Sequence, residues 1–248
     1  HMSKTTIPKG GITADAIDAT LIADDAISEE HIDATVITAS TALAATPADT
    51  DELLISDAGT IKRIDYSHIK SSPGLNFIAS ASTTSNTGTV DINGCFSATY
   101  RNYLLIFEYT PSSNGQNPRI RFKDTSNSAI TSSNYGYAFS GQDFGGGAEN
   151  SVGNNDDSAI QPGQGTTNNE NTDFPAVSGV FHILNPFSSS NNLNFMGSVL
   201  NRGNNGEFRQ YSGAGRFALQ TQIAGLQFFF GSGNVNNANI KVYGIVDS

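Results

Sequence analysis

The isoleucines near the start of the chain follow a regular spacing. The pattern Ile-Asp-Ala-Thr-[Leu/Val]-Ile occurs at residues 17–22 and again at 32–37, within a series that steps by five residues: Ile12, Ile17, Ile22, Ile27, Ile32 and Ile37. A step of five turns by about 140° around an α-helix and reverses the face of a β-strand, so neither element collects these side chains on one side. A single chain therefore cannot bury this segment by itself.

Short helical turns that alternate with extended links would account for the spacing. Thr13 and Ser28 are candidate helix N-caps, and residues 18–20 and 33–35 are candidate extended steps. Three parallel copies would then direct one isoleucine per step toward a common axis, as repeat architectures require. The pattern predicts a trimerisation stalk over residues 1–46, and a flexible acidic leader is the alternative.

Residues 47–74 carry the pattern of a β-hairpin. Two apolar runs, 53–55 and 61–64, flank a turn that contains Gly59. One helical turn is expected at 66–69, before Ser71-Ser72-Pro73-Gly74 ends it. Because an isolated hairpin is only marginally stable in water, we interpret this segment as a neck that packs with neighbours.

Residues 75–248 read as a series of short strands separated by Asn, Gly and Ser turns. The longest apolar strand is expected at 103–109, an alternating strand at 119–123, and further strands at 180–185, 194–200, 216–222, 226–231 and 239–246. Such spacing predicts a mainly β head, an antiparallel β-sandwich of jelly-roll-like type. Residues 140–173 contain hardly an apolar residue and are predicted to form a long loop.

Composition narrows the possible partners. The formal net charge is −10, so neither nucleic acid nor an anionic membrane surface is an expected partner. No run approaches the roughly 20 apolar residues that span a bilayer, so no membrane insertion is expected. No signal peptide is apparent at the start, so a location outside the cell would need another route, such as release with a virus particle. The single Cys95 is expected to be a buried structural thiol.

The sequence does not predict an enzyme. It lacks the nucleophile elbow, the P-loop, the zinc-protease helix and the dinucleotide-binding glycines, so we predict no catalytic residues and no cofactor. The carboxylates at 149, 156, 157, 170 and 173 lack an apolar wall that would raise a pKa, so solvated loop charges are favoured over an acid–base pair. Calcium binding at 154–157 is a weaker alternative, and we predict no metal.

Sugar binding has more support from the residue types. Carbohydrates are held by aromatic rings that stack on apolar sugar faces and by Asn, Asp and Gln groups that bond hydroxyls. The candidate receptor-binding or glycan-binding residues are Tyr135, Tyr137, Gln142, Asp143, Phe144, Asn154, Asn155, Asp156 and Asp157. Tyr135, Tyr137 and Phe139 share a strand face, and their alternative role is in the core. The arginines at 202, 209 and 216 could pair with an acidic glycan or with carboxylates of a neighbouring protomer.

Several stretches resemble proteins of tailed bacteriophages. The isoleucine repeats resemble the spaced repeats of tail fibres, although Asp-Ala-Thr stands here where Asp-Gly is commoner. The stretch ELLISDAGTIKRI resembles a neck element of phage fibres, and residues 96–124 and 223–246 resemble distal β-domains of phage structural proteins. This order of stalk, neck and β-head identifies the chain as similar to tail-fibre or receptor-binding proteins.

The resemblance implies a homotrimeric virion protein whose head attaches the phage tail to the host. The implied partners are two further copies of the chain, a host surface glycan or outer-membrane receptor, and other phage tail proteins through the N-terminus. The implied location is the virion, with synthesis in the host cytoplasm and an extracellular position on release. The alternatives are a structural capsid or baseplate appendage without receptor binding and, less favoured, a polysaccharide depolymerase.

Overall fold

The computed structural model describes residues 22, 27, 32–70, 74–146, 149–167 and 175–246. The chain divides into two compact units, residues 1–71 and 72–248. Each unit is described by itself. Within the described ranges, no helix has both the length and the apolar character needed to cross a membrane.

A short helix, α1 (Thr35–Thr38), lies in the described part of the first unit. The expected extended step at 33–35 is wrong: Ala34 already has helical backbone angles, and Oδ1 of Asp33 accepts the N–H of Thr35 at 2.8 Å. The Asp side chain thus satisfies a backbone donor that the first helical turn leaves free, and the helix starts at the predicted link.

The repeat isoleucines that the structure describes are exposed. Ile22, Ile27, Ile32 and Ile37 have exposed fractions of 39%, 56%, 56% and 81%. Ile12 and Ile17 lie outside the described residues, as do the candidate caps at 13 and 28. The described repeat therefore leaves its apolar side chains in solvent, and the predicted threefold packing stays a prediction.

A hairpin forms where the sequence predicts one. Strands β1 (Glu52–Asp57) and β2 (Thr60–Asp65) pair antiparallel, and the short 3-10 turn Tyr66–His68 follows. Ala58 and Gly59 have φ values of 49° and 85°, the left-handed pair that a two-residue type I′ turn requires. The hairpin itself is confirmed, whereas its role as a neck stays a prediction.

The described residues of the second unit form eleven antiparallel strands. The strands are β3 (Leu75–Thr83), β4 (Val90–Ile92), β5 (Asn102–Pro111), β6 (Pro118–Asp124), β7 (Tyr135–Asp143), β8 (Glu149–Asp157), β9 (Val177–Leu184), β10 (Leu193–Arg202), β11 (Phe208–Phe217), β12 (Ile223–Phe230) and β13 (Val235–Ile245). They form one eight-stranded sheet of order β3-β13-β5-β9-β10-β11-β7-β8 and one three-stranded sheet of order β4-β12-β6.

Aromatic rings join the two sheets into a sandwich. Phe107 on β5 lies 5.6 Å from Phe228 on β12, measured between ring centroids, and Phe122 on β6 lies 5.4 Å from Phe217 on β11. The predicted strand at 103–109 is confirmed, with every second side chain fully buried from Tyr103 to Tyr109. The mainly β, antiparallel sandwich expected from the strand pattern is therefore observed.

The expected long loop at 140–173 is wrong in its first part. β7 continues to Asp143, and β8 occupies 149–157, where Val152 pairs with Phe139 in register. β8 is an edge strand, and Val152 is its apolar inward contact, so its sequence carries no apolar alternation. The expected strand at 216–222 is also displaced, since β11 ends at Phe217.

Five glycines face the interior of the eight-stranded sheet, each directly opposite an aromatic residue. The pairs are Gly141–Tyr211, Gly179–Phe107, Gly197–Phe181, Gly213–Phe139 and Gly215–Phe195. A Cβ atom on any of these glycines would lie 2.2–2.7 Å from the opposing ring. The rings therefore occupy the space that a side chain would need, and the inner layer is packed by aromatic residues folded over glycines.

Candidate functional site

The outward faces of β7, β10 and β11 form a surface of small and polar residues, which we call the outer strip. Its rows follow the strand register and consist of Arg202, Phe208 and Phe144; Leu200, Gln210 and Gln142; Ser198, Ser212 and Ser140; Met196, Ala214 and Ala138; and Asn194, Arg216 and Gly136. Alternate residues along each strand point inward, so these residues share the solvent side.

The middle of the outer strip is lined with hydroxyl and amide groups. The Oγ atoms of Ser198 and Ser212 are 2.9 Å apart, and Nε2 of Gln210 donates to Oγ of Ser212 at 2.5 Å. From Asn194 to Arg202 the strip is about 27 Å long, at about 3.4 Å per residue. The strip is therefore long enough for an extended ligand, and its short side chains leave the backbone close to solvent.

An aromatic pair lies at one end of the outer strip. The rings of Phe144 and Phe208 stack with centroids 6.1 Å apart at 29°, and 68% of Phe144 is exposed. The guanidinium carbon of Arg202 lies 5.9 Å from the Phe208 centroid. Nε and Nη1 of Arg202 are buried and have no hydrogen-bond partner. This end, the aromatic end, offers a flat apolar surface beside a cation.

A shallow depression of about 690 Å³ lies at the other end of the outer strip. Its lining includes Asn154, Asn155, Asn194, Arg216, Ala138, Ala214 and the glycines at 136, 153 and 215. Nη2 of Arg216 is 3.5 Å from Oδ1 of Asn155, a long contact. This end, the asparagine end, combines amides and a cation over a floor of glycine and alanine.

Exposed aliphatic residues border the outer strip on the central strands. Ile106 on β5 and Val180 on β9 are opposite each other and are 39% and 40% exposed. Met196 on β10 is 47% exposed. A smaller depression of about 340 Å³ lies over Ile106, Val180 and Leu200. Ile106 and Val180 thus add apolar surface beside the polar rows of β7 and β11, and Glu108 and Ser178 line the same smaller depression.

Two predicted site residues lie in the core. The ring of Tyr135 is fully buried, and its hydroxyl donates to the carbonyl of Ile130 at 2.8 Å and accepts the N–H of Phe122 at 3.0 Å. The hydroxyl of Tyr137 donates to Oδ2 of Asp157 at 2.7 Å. Tyr135 is fully buried, so its predicted contact with a receptor is corrected to its alternative role in the core, because alternation along β7 turns odd-numbered residues inward. Tyr137 is 8% exposed and also lines the depression at the asparagine end, so its contact with a receptor stays a prediction.

Asp157 has a structural partner set. Nη1 of Arg119 donates to its Oδ2 at 2.7 Å, beside the bond from Tyr137. Burial alone would raise the pKa of Asp157, but the hydrogen bonds from Tyr137, Arg119 and the N–H of Ser158 outweigh it and hold the pKa below its ordinary value. This carboxylate is therefore ionised and paired within the chain, which leaves it poorly placed to bind a sugar.

Asp143 is also turned inward. Its Oδ1 accepts Nε of Arg209 at 3.0 Å and Nδ2 of Asn150 at 3.1 Å, and Nη2 of Arg209 pairs with Glu207 at 2.5 Å. Arg209 therefore pairs with two carboxylates of its own chain. Gln142 and Phe144, the even-numbered neighbours of Asp143, lie on the outer strip.

The candidate calcium residues do not converge on one point. Oδ1 of Asn154 accepts the N–H of Asp156, while Asp156 is exposed and Asp157 is bound to Arg119. Among the described residues, no group of three or more His, Cys, Asp or Glu side chains is placed to hold a metal ion. Glu170 and Asp173 lie outside the described residues, and the side chain of Glu149 is not described.

Known proteins do not add to this picture. No protein-family model matches the chain, and neither a curated protein sequence nor a solved structure is detectably similar to it.

Sequence reasoning missed most of the outer strip. Phe208, Gln210 and Ser212 lie on β11, more than 60 positions from Phe144, Gln142 and Ser140, which they meet across the sheet. The available signal was alternation: in FRQYSGAGRF the even-numbered positions carry Phe, Gln, Ser, Ala and Arg, the pattern of a solvent-facing strand side.

Proposed function

We propose that this chain is a tail-fibre or receptor-binding protein of a tailed phage and that the outer strip attaches it to a host surface polysaccharide. The observation that carries the proposal is the ring of Phe144, which is 68% exposed and stacks on the half-buried ring of Phe208 at the end of a surface lined with hydroxyls and amides. Aromatic rings exposed beside such groups suit sugars, because the ring meets the apolar sugar face while hydroxyls and amides exchange hydrogen bonds.

The exposed repeat isoleucines support trimerisation in this proposal. The described members of the repeat are exposed in a single chain, and three chains would bury them against each other. Trimerisation would also present three outer strips on one particle appendage, so weak single-site binding would become strong attachment through avidity. The N-terminal segment would then join the other tail proteins of the virion.

The strand order supports a jelly roll within the proposed head. The orders β3-β13-β5-β9 and β4-β12-β6 interleave early and late strands, as in a long hairpin wrapped into two sheets. In this interpretation β10, β11, β7 and β8 extend one sheet of the jelly roll, and the extension carries the outer strip.

A structural appendage without a receptor is the second candidate. The aliphatic residues Ile106, Val180 and Met196 favour it, because an apolar sheet face suits protein packing more than sugar binding. A depolymerase has less support, since the described carboxylates Asp143 and Asp157 are both held in ion pairs.

The proposal is tested by screening the full chain on an array of bacterial surface polysaccharides. We expect binding to at least one polysaccharide and a loss of at least tenfold in affinity in Phe144→Ala, because the stacking surface is removed. The matched control is Phe77→Ala, which removes an aromatic ring that is 58% exposed on β3, outside the outer strip.

Two results would overturn the proposal. The first is no binding to any polysaccharide on the array, which would favour the structural appendage. The second is equal loss of binding in Phe144→Ala and Phe77→Ala, which would place the binding surface elsewhere.

A further inference from the structure

We infer that the glycan bound by the outer strip is anionic and that Arg202 and Arg216 hold its acidic substituents at the two ends of the strip. This inference rests on the proposed polysaccharide binding and names the chemical class of the ligand. The shared chemistry is an oxyanion, either the carboxylate of an acidic sugar or the phosphate of a phosphodiester-linked polymer.

Three partnered arginines, Arg119, Arg121 and Arg209, show how this chain pairs a guanidinium. Arg119 binds Asp157 at 2.7 Å, and Arg209 binds Asp143 at 3.0 Å. Arg121 donates to the carbonyl of Ser158 at 3.0 Å and lies 4.3 Å above the ring of Phe229. Each of these cations is matched by an anion, a carbonyl or an aromatic ring of the second unit.

Arg202 has an aromatic neighbour, the ring of Phe208, whose centroid lies 5.9 Å from its guanidinium carbon. Its Nε and Nη1 atoms are removed from water and have no hydrogen-bond partner. A buried donor on a charged group is costly to leave unpaired, so turning the guanidinium outward to an oxyanion of a ligand would relieve that cost. Phe208 lies opposite Arg202 in register and Phe144 stacks on Phe208, so a sugar on the aromatic pair would place its substituent near the guanidinium.

Arg216 is placed to act at the asparagine end. A Cβ on Gly136 would lie 3.5 Å from both Cγ and Nε of Arg216. The side chain of Arg216 therefore passes over Gly136, which has no side chain of its own. Arg216 is exposed, and its contact with Asn155 is a long one at 3.5 Å. The guanidinium therefore keeps most of its donors for a ligand in the depression.

The charge around the two arginines favours an anion locally. None of the outer-strip side chains is acidic, although the whole chain has a net charge of −10. At physiological ionic strength charges are screened beyond about 8 Å, so distant carboxylates contribute little at the strip. The exposed Glu108 lines the smaller depression together with Ser198 and Gln210, whereas none of the described acidic residues lines the depression at Arg216. The separation of about 27 Å between the arginine-bearing rows requires an extended ligand to engage both.

The test uses the full chain and the carboxylated, phosphorylated and neutral members of the same polysaccharide array. We expect the bound polysaccharide to be anionic, with Arg202→Gln and Arg216→Gln each lowering affinity at least tenfold. The control is Arg101→Gln, which removes an exposed arginine that precedes β5 and lies outside the strip. Thermal unfolding of each variant checks that the fold is kept. Carboxyl-reduced polysaccharide distinguishes the carboxylate source, since reduction abolishes binding only if the carboxylate is the anion held.

The outcomes separate this inference from the proposed function. Binding of a neutral polysaccharide that depends on Phe144 but on neither arginine would overturn the anionic inference and keep the proposed function. An effect of Arg101→Gln equal to that of Arg202→Gln would also overturn it, because net charge alone would then govern binding. Absence of binding to every polysaccharide would overturn both.

Discussion

The two faces of β7, β10 and β11 differ sharply in what their side chains do. On the inner face, Phe139, Phe195 and Tyr211 are fully buried, and each folds over a glycine on the neighbouring strand. On the outer face, Ser140 and Ser212 lie in solvent at adjacent positions of the same strands. The same backbone therefore carries a face that maintains the fold and a face that is free to change, which suits a protein that must recognise a variable surface.

The largest effect on the free energy of unfolding is expected from removing an aromatic ring from the inner face. Phe139→Ala removes a ring that stacks on Phe181 at 5.7 Å and should lower the free energy of unfolding by about 3–5 kcal/mol. Ser140→Ala, the next residue on the outer face, is the matched control and should change it by less than about 0.5 kcal/mol. Urea unfolding measures both. Comparable effects of the two substitutions would contradict the difference between the faces.

Filling the inner face should be harmful as well. In Gly213→Ala the new Cβ would lie 2.1 Å from the carbonyl oxygen of Ala138 and 2.7 Å from the ring of Phe139, so backbone and ring must move. We expect a loss of about 1–3 kcal/mol in unfolding free energy. Gly136→Ala on the outer face, whose nearest atom would be 3.4 Å away, is the control and should be nearly neutral. A stable Gly213→Ala protein would show that the inner layer is loosely packed.

A third substitution tests Asp157, the paired carboxylate at the end of the edge strand β8. Asp157→Asn weakens the bonds from Tyr137 and Arg119 and should cost about 1.5–3 kcal/mol near neutral pH. Because the pKa of Asp157 is lowered on folding, its contribution is present above its ordinary pKa of 3.8 and is lost as pH falls through the lower folded value.

The difference in unfolding free energy between wild type and Asp157→Asn should therefore shrink as the pH falls below about 4. Asp156→Asn, an exposed neighbour on the same strand, is the control and should show no such trend. A difference that stays constant between neutral and acidic pH would refute the ionised role of Asp157.

The smallest effect on stability is expected from chemistry directed at the outer face. Met196 is 47% exposed on the outer strip, so mild peroxide should oxidise it without unfolding the protein. Cys95 is buried, and desolvation raises the pKa of its thiol to about 12, so a thiol reagent should react only after urea is added. Mass spectrometry of peptides would follow both. Rapid labelling of Cys95 in the folded protein would contradict its burial.

The sequence predicts those strands that contain a continuous apolar run or a regular alternation of apolar and polar residues. Residues 103–109 and 119–123 fall in β5 and β6, and Gly59 correctly marks the hairpin turn. β11 is harder to predict because its inner positions include Gly213 and Gly215, which a sequence pattern presents as turn residues. Their role depends on rings supplied by other strands, and local sequence does not contain that information.

The candidate site divides in the same way. Gln142 and Phe144 are surface residues as expected, whereas Asp143 between them faces inward, because side chains alternate along β7. Phe208, which stacks on Phe144, comes from β11, and Arg202, which is opposite Phe208, comes from β10, so the three residues meet only through long-range pairing. Helical structure at Thr35 was missed because the cap comes from Asp33, two residues earlier, a contact that the repeat pattern does not encode.

The composition of β8 also affects whether copies of this protein can associate through the edge of the sheet. A sheet edge exposes unpaired N–H and C=O groups that can recruit strands from other molecules and start aggregation. β8 closes one edge of the large sheet with the sequence ENSVGNNDD, and its pairing with β7 is interrupted by a register shift between Tyr135 and Tyr137. Its acidic residues repel a second copy, and the irregular register disfavours a continuous new ladder. This edge therefore protects the protein from sheet-to-sheet polymerisation where many copies are concentrated.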